Sequence, residues 1–187
     1  MSQKGLLTVV SGFSGAGKGT LMKALLAKYA DRYALSISAT TRGPREGEQD
    51  GREYFFLKKE EFEQMIEEDA LIEHAQYVGN YYGTPKKYVM EQREAGKDVL
   101  LEIEIQGALK VKEKFPDTLL IFVTPPSAKE LESRLRGRGT ETAEVIEKRL
   151  ARAGEEAVYM DQYDYILVND DLDTCVEELH HLIQSQH

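Results

Sequence analysis

Leu6-Leu7-Thr8-Val9-Val10 runs without a break into Ser11-Gly12-Phe13-Ser14-Gly15-Ala16-Gly17-Lys18-Gly19-Thr20. The first five residues are β-formers without polar alternation, which suits a strand covered on both faces. After the loop, Leu21 and Leu25, then Met22, Leu26 and Tyr29, recur at the steps of one helical face. Gly12 to Lys18 fit the pattern G-x-x-x-x-G-K. Its glycines let successive backbone N–H groups turn inward around a phosphate, and the helix N-terminus adds a favourable dipole. The lysine then reaches the β- and γ-phosphates of a nucleoside triphosphate. The strict pattern has Ser or Thr directly after the lysine. Here Gly19 intervenes and Thr20 follows, which makes Thr20 the candidate magnesium ligand.

Outward from this junction the rhythm repeats. Asp98 to Ile103, Thr118 to Val123 and Tyr165 to Val168 are further strand-like runs. The second is followed by a helix opening after Pro125-Pro126-Ser127, and Leu172, Val176, Leu179 and Ile183 mark the last amphipathic helix. Strand and helix in alternation predict an α/β fold: a parallel sheet in a three-layer core with helices on both faces. The 187 residues suffice for one core carrying small insertions. With 41% hydrophobic and 30% charged residues, the chain reads as globular. A net charge of −9 argues against a surface given over to nucleic acid or anionic membrane, so any anion site must be local. Cys175 is the only cysteine, which excludes an intrachain disulfide and reads as a small apolar residue. The first apolar run is too short for a signal peptide or a span, and a cytoplasmic location is expected.

Two segments break the rhythm. Ser36 to about Tyr88 is rich in turns: Arg42-Gly43-Pro44, Asp50-Gly51, Gly79-Asn80 and Gly83-Thr84-Pro85. It also holds the aromatic strand Tyr54-Phe55-Phe56-Leu57 and a helix with Phe62, Met65 and Ile66, and is predicted as a small mixed α/β insertion. Arg42 and Arg45 flank its Gly-Pro turn, with Tyr54 and Tyr82 later. Arginine forks and phenolic hydroxyls are what a terminal phosphate requires. The second segment, Arg134 to about Met160, has a Gly137-Arg138-Gly139 turn and a helix bearing Arg149 and Arg152, and reads as a flap. A switch GTPase is not expected: such proteins resemble one another in an Asn-Lys-x-Asp guanine motif, and this chain has no Asn-Lys pair.

From about Gly5 to Ile183 the chain closely resembles guanylate kinases. The matching stretches beyond the loop are Ser36 to Glu48, Gly79-Asn80-Tyr81-Tyr82-Gly83-Thr84-Pro85, Gly137-Arg138-Gly139-Thr140-Glu141 and Val168-Asn169-Asp170-Asp171, in the family's order. The resemblance implies a P-loop NTPase core, a GMP-binding insertion, a helical lid, and transfer of a phosphoryl group from ATP to GMP, or dGMP, with magnesium. It divides the chain into core (1–35), GMP-binding insertion (36–88), core (89–126), lid with flanking helices (127–160) and core (161–187). Monomer and homo-oligomer both remain open.

Residue by residue, the resemblance assigns ATP to Gly12, Phe13, Ser14, Gly15, Ala16, Gly17, Lys18, Gly19, Thr20 and Asn169. An asparagine capping the final helix is the other reading of Asn169. Arg42, Arg45, Tyr54 and Tyr82 would take the GMP phosphate, while Ser38, Glu73, Thr84 and Glu104 would face guanine. Lys18, Arg42, Arg138 and Arg149 form the expected catalytic set. Two departures stand out: Phe13 replaces a common proline, and Glu102-Ile103-Glu104 stands where many relatives have Asp-Ile-Asp, leaving the division between Glu102 and Glu104 open. His74 is expected to be packed or solvated rather than a base. The alternatives are a guanylate-kinase-like interaction module without catalysis and a kinase for another nucleoside monophosphate.

Overall fold

The computed structural model describes residues 4–187. In chain order the first elements are β1 (Leu7–Gly12), α1 (Lys18–Lys28), β2 (Tyr33–Leu35), β3 (Ser38–Thr40), β4 (Tyr54–Phe56) and α2 (Lys59–Glu67). Next come β5 (Leu71–Tyr77), β6 (Asn80–Pro85), α3 (Lys86–Glu94), β7 (Asp98–Glu102), α4 (Ile105–Lys114) and β8 (Leu119–Thr124). The chain ends with α5 (Ala128–Gly137), α6 (Ala143–Ala157), a short 3₁₀ turn (Met160–Gln162), β9 (Tyr165–Val168) and α7 (Leu172–Gln184).

Five strands pair in the order β2-β7-β1-β8-β9, all parallel. Successive side chains of a strand point to opposite faces, yet Leu7, Thr8, Val9 and Val10 are all buried, so helices cover both sides. That is why the run lacks alternation, as expected from the sequence. β1 extends past Val10, because Ser11 and Gly12 pair with Phe122 and Val123. Only glycine fits at the end of this strand: a Cβ on Gly12 would meet the Val123 carbonyl oxygen at 2.1 Å. Cys175 is buried in the same core, and burial pushes its thiol up to about 11.

A second sheet has the order β4-β3-β6-β5, with β3 and β4 parallel and the other pairs antiparallel. Its own small core is Ala39, Phe62 and Leu71, with Phe62 stacked on Tyr81 at 5.1 Å. Here the sequence reading needs a correction. Gly83-Thr84-Pro85 is not a turn but the end of β6. Gly83 is there because a Cβ would meet the Glu73 carbonyl at 2.9 Å, so the glycine serves close strand approach rather than reversal. The reversal itself is Val78-Gly79, both with positive φ, between the paired Tyr77 and Asn80.

The helices α5 and α6 pack against each other beside the main sheet. Ser127 caps α5 through the Glu130 amide, and Thr142 caps α6 through that of Val145. A column of edge-on rings, Phe13, Phe122 and Tyr163, carries the glycine loop on the core with centroid spacings of 4.9 and 5.1 Å. Phe122→Ala removes the middle ring and is expected to cost about 3–5 kcal/mol, read as a lower urea midpoint with unchanged slope. A loss below about 1 kcal/mol would show that the column does not hold the loop.

Candidate active site

The loop between β1 and α1 takes its shape from glycines in left-handed backbone conformations. Gly15 has φ 92° and Gly17 φ 86°. Two hydrogen bonds pin it: the Ala16 amide donates to the Phe13 carbonyl at 3.0 Å, and Asn169 Nδ2 donates to the Ala16 carbonyl at 2.9 Å. Asn169 is buried at the end of β9 and presses so closely on the loop that a Cβ on Gly17 would lie 2.6 Å from its amide nitrogen. The reading of Asn169 as a helix cap is corrected. Asp171 caps α7, its carboxylate accepting from the Thr174 amide at 2.9 Å.

Lys18 folds back over the loop and donates to the carbonyls of Gly12 at 2.7 Å and Phe13 at 3.0 Å. Burial lowers the pKa of its ammonium, opposed by the charges of Glu102 and Glu156 and reinforced by Arg138. Thr20 lies exposed in the first turn of α1, beside Lys18, Glu102 and Arg138 around a hollow of about 260 Å³. That hollow shares Gly15, Gly17, Thr20 and Arg138 with another of about 330 Å³ reaching Asn169 and Arg134. It shares Ser14, Lys18 and Glu102 with the largest cavity, of about 580 Å³. Three adjoining spaces with shared walls thus run along the glycine loop, with Lys18 in the wall of two.

The large cavity is bounded by Glu104, by Tyr77 from the second sheet, and by Val145, Lys148, Arg149, Arg152 and Glu156 from α6. Arg149 donates to the Ser14 hydroxyl and, through its other amino nitrogen, to the Glu141 carboxylate. The residues of α6 fall at helical steps on one face, a periodicity in the sequence that could have marked them together. Tyr77, 68% exposed at the hairpin tip, had no sequence signal.

Of the eight residues expected at the second substrate, Glu104 lines this cavity and the other seven do not. They form two groups on the second sheet. Arg42 pairs with Glu48 at 3.0 Å and lies over the Tyr54 ring at 5.3 Å, and Tyr54 meets Tyr82 edge-on at 6.1 Å. The Arg45 amide donates to the same Glu48 carboxylate at 2.7 Å. In the other group, across the β5–β6 pair, the Thr84 hydroxyl donates to Glu73 Oε1 at 2.8 Å. Ser38 is half-buried at the start of β3. Glu104 caps α4, accepting from the amides of Gly107 at 2.8 Å and Gln106 at 3.0 Å. The two carboxylates converge over Gly107, where a Cβ would lie 3.3 Å from Glu73 and 3.4 Å from Glu104. His74 is exposed.

The family model described as guanylate kinase matches residues 4–186. The guanylate kinase of Caldanaerobacter subterraneus subsp. tengcongensis is 55% identical over 98% of this chain and 88% of its own length. That of Halalkalibacterium halodurans is 53% identical over 99% and 90%. Among solved structures, guanylate kinase from Anaplasma phagocytophilum superposes with a TM-score of 0.74 at 31% identity, covering 99% of this chain and 87% of that one. Shikimate kinase from Bacteroides thetaiotaomicron, at 16% identity and a TM-score of 0.50 over 96% and 98% of the two chains, shares the fold.

Burial raises the Glu73 carboxyl above its ordinary 4.5, the Thr84 hydroxyl opposing the rise and the Glu104 charge adding to it. Below pH 4.5 both folded and unfolded chains carry the proton and no penalty exists. As pH climbs from there through the raised folded value, the unfolded chain ionises first and the fold loses stability. Glu73→Gln, which cannot ionise, is therefore expected to melt at a higher temperature than the parent near neutral pH. The gain should shrink as pH falls toward 4.5. Thermal melts across this range check it, and a pH-independent difference would contradict the assignment.

Proposed function

The chain belongs to the guanylate kinase family and is an ATP:GMP phosphotransferase, and on that premise we propose how its residues divide the work. The reading is carried by the three adjoining spaces along the glycine loop. The one beside Asn169 and Arg134 takes the adenosine of ATP, the middle one its phosphates, and the large one opens toward GMP.

A phosphate monoester is already anionic near neutral pH, so the attacking oxygen of GMP needs no strong general base. The barrier lies in bringing two polyanions together and in stabilising charge on the group in transit. Lys18 exchanges its two carbonyl partners for phosphate oxygens of ATP, and the loop amides complete the cradle. Arg138 and Arg149 approach the same phosphates from the arm formed by α5 and α6. Arg42, aligned by Glu48 and the Tyr54 ring, holds the GMP phosphate with Arg45, Tyr54 and Tyr82. Closure of the second sheet and the arm over the large cavity brings these groups to the loop and excludes water that would hydrolyse ATP.

Guanine offers N1–H and its 2-amino group as donors, which Glu73 and Glu104 accept. The Thr84 proton is already given to Glu73, so Thr84 fixes that carboxylate and the Ser38 hydroxyl remains to donate to O6. Adenine lacks the 2-amino group and would leave carboxylate oxygens unpaired, a mismatch worth roughly 10⁴-fold in selectivity.

Magnesium fits the middle space. Among the described residues no cluster of three acidic, His or Cys side chains could cage a metal, and Mg²⁺ keeps water and phosphate ligands instead. Thr20 and Glu102 would hold it there, and the ion would neutralise phosphate charge. Among the described residues no helix is long and apolar enough to cross a membrane. We take the setting to be the cytoplasm and the pathway purine nucleotide metabolism, with dGMP as a second acceptor.

Lys18→Ala is expected to lower kcat by about 10³-fold with an unchanged circular dichroism spectrum. Near-normal turnover would displace the donor site from the loop. Arg138→Ala should lower kcat more than it weakens GMP binding, and the opposite pattern would remove Arg138 from the transition state. Assays of AMP, dGMP, UMP and TMP beside GMP test the base selectivity.

A further inference from the structure

Arg149 lies in the middle of α6, where a surface arginine ordinarily finds a carboxylate three or four residues away. Lys148 pairs with Glu144, and Arg152 with Glu156, in that way. Arg149 has no such partner: the residues three and four before it are Ile146 and Val145, and those after it are Arg152 and Ala153. Its carboxylate comes from outside the helix. Glu141, just before the capping residue Thr142, reaches back so that its Oε1 accepts from Arg149 NH2. Arg149 NH1 meanwhile donates to the Ser14 hydroxyl on the glycine loop.

Glu141 has a side chain 16% exposed, close to the 20% of Glu156 and far below the 77% of Glu144. Its second oxygen, Oε2, is shut off from solvent and has no hydrogen-bond partner among the described residues. Leaving a carboxylate oxygen buried and unpartnered is unfavourable, so the arrangement is not explained by stability.

We infer that Glu141 is a positioning residue for catalysis, acting through Arg149. The inference rests on the reading of Arg149 as a donor-side cation. Glu141 fixes one edge of the guanidinium and leaves the other aimed at the loop. On arrival of ATP, Arg149 need exchange only the Ser14 hydroxyl for a phosphate oxygen, while its plane stays where Glu141 holds it. A guanidinium oriented beforehand acts on the transition state without having to be ordered during the reaction. Removing Glu141 therefore reduces turnover rather than GMP binding.

Steady-state kinetics with ATP and GMP on the full chain test this through Glu141→Gln, Arg149→Met and the double variant. Glutamine keeps the shape and removes the charge, and thermal melting verifies that each variant is folded. Glu141→Gln is expected to lower kcat about 10-fold with less than about a twofold change in KM for GMP, and Arg149→Met about 10²-fold or more. In the Arg149→Met background, Glu141→Gln should change kcat by less than about twofold, because its effect passes through the arginine. The same fold-loss in both backgrounds, or parental or faster kcat in Glu141→Gln alone, overturns the inference. Parental kcat in Arg149→Met would remove the donor-side reading of Arg149 and this inference with it. A loss in Arg149→Met with none in Glu141→Gln removes only the inference.

Discussion

The site depends on a stretch of main chain bent through left-handed conformations at Gly15 and Gly17. Such a loop exposes donors that a folded protein normally satisfies internally, so it survives only where its surroundings impose its shape. Gly12 is squeezed against β8, Gly17 lies against Asn169, and Phe13 stands on the ring column. The parallel sheet brings these supports together, because the C-terminal ends of β1, β8 and β9 lie side by side. Strand order is thus a functional matter: the residue supporting the loop from β9 comes from more than 150 positions along the chain.

Much of this was legible in the sequence, for definite physical reasons. The unalternating strand, the glycine spacing and the helical stripe after it each reflect a local requirement, and the core sheet followed from them. The partners of the loop were less legible. Asn169 looks like a helix cap in one dimension because Asn, Asp and Asp stand together before α7, and only the structure shows Asp171 capping and Asn169 donating to Ala16. Gly83 was misread for a related reason. Glycine marks both turns and places where two strands crowd together, and sequence alone does not separate them. Tyr77 owes its place to the meeting of distant segments, and Glu141 to the way the chain leading into α6 folds against that helix.

The charges follow the same division between global and local. A chain of net charge −9 has to bind two polyanions, and cations cluster along one cleft: Lys18, Arg138, Lys148, Arg149 and Arg152 line its adjoining spaces. Several are already matched with acids: Lys148 with Glu144, Arg149 with Glu141 and Arg152 with Glu156. Such pairing keeps like charges from repelling one another and fixes side chains that would otherwise wander. On the proposed assignment, a phosphate oxygen has then to replace one neutral or anionic neighbour rather than assemble a site from mobile parts.

The convergence of Glu73 and Glu104 over Gly107 also bears on stability. Two acids crowded at one spot are a weak point of the fold, and on the proposed assignment a nucleotide that gives them hydrogens relieves it. Ligand occupancy then stabilises the chain by mass action. Inside a cell, where unfolded molecules are continually degraded, the abundance of this protein would follow the supply of its own acceptor, rising when guanine nucleotides are plentiful and falling when they are scarce.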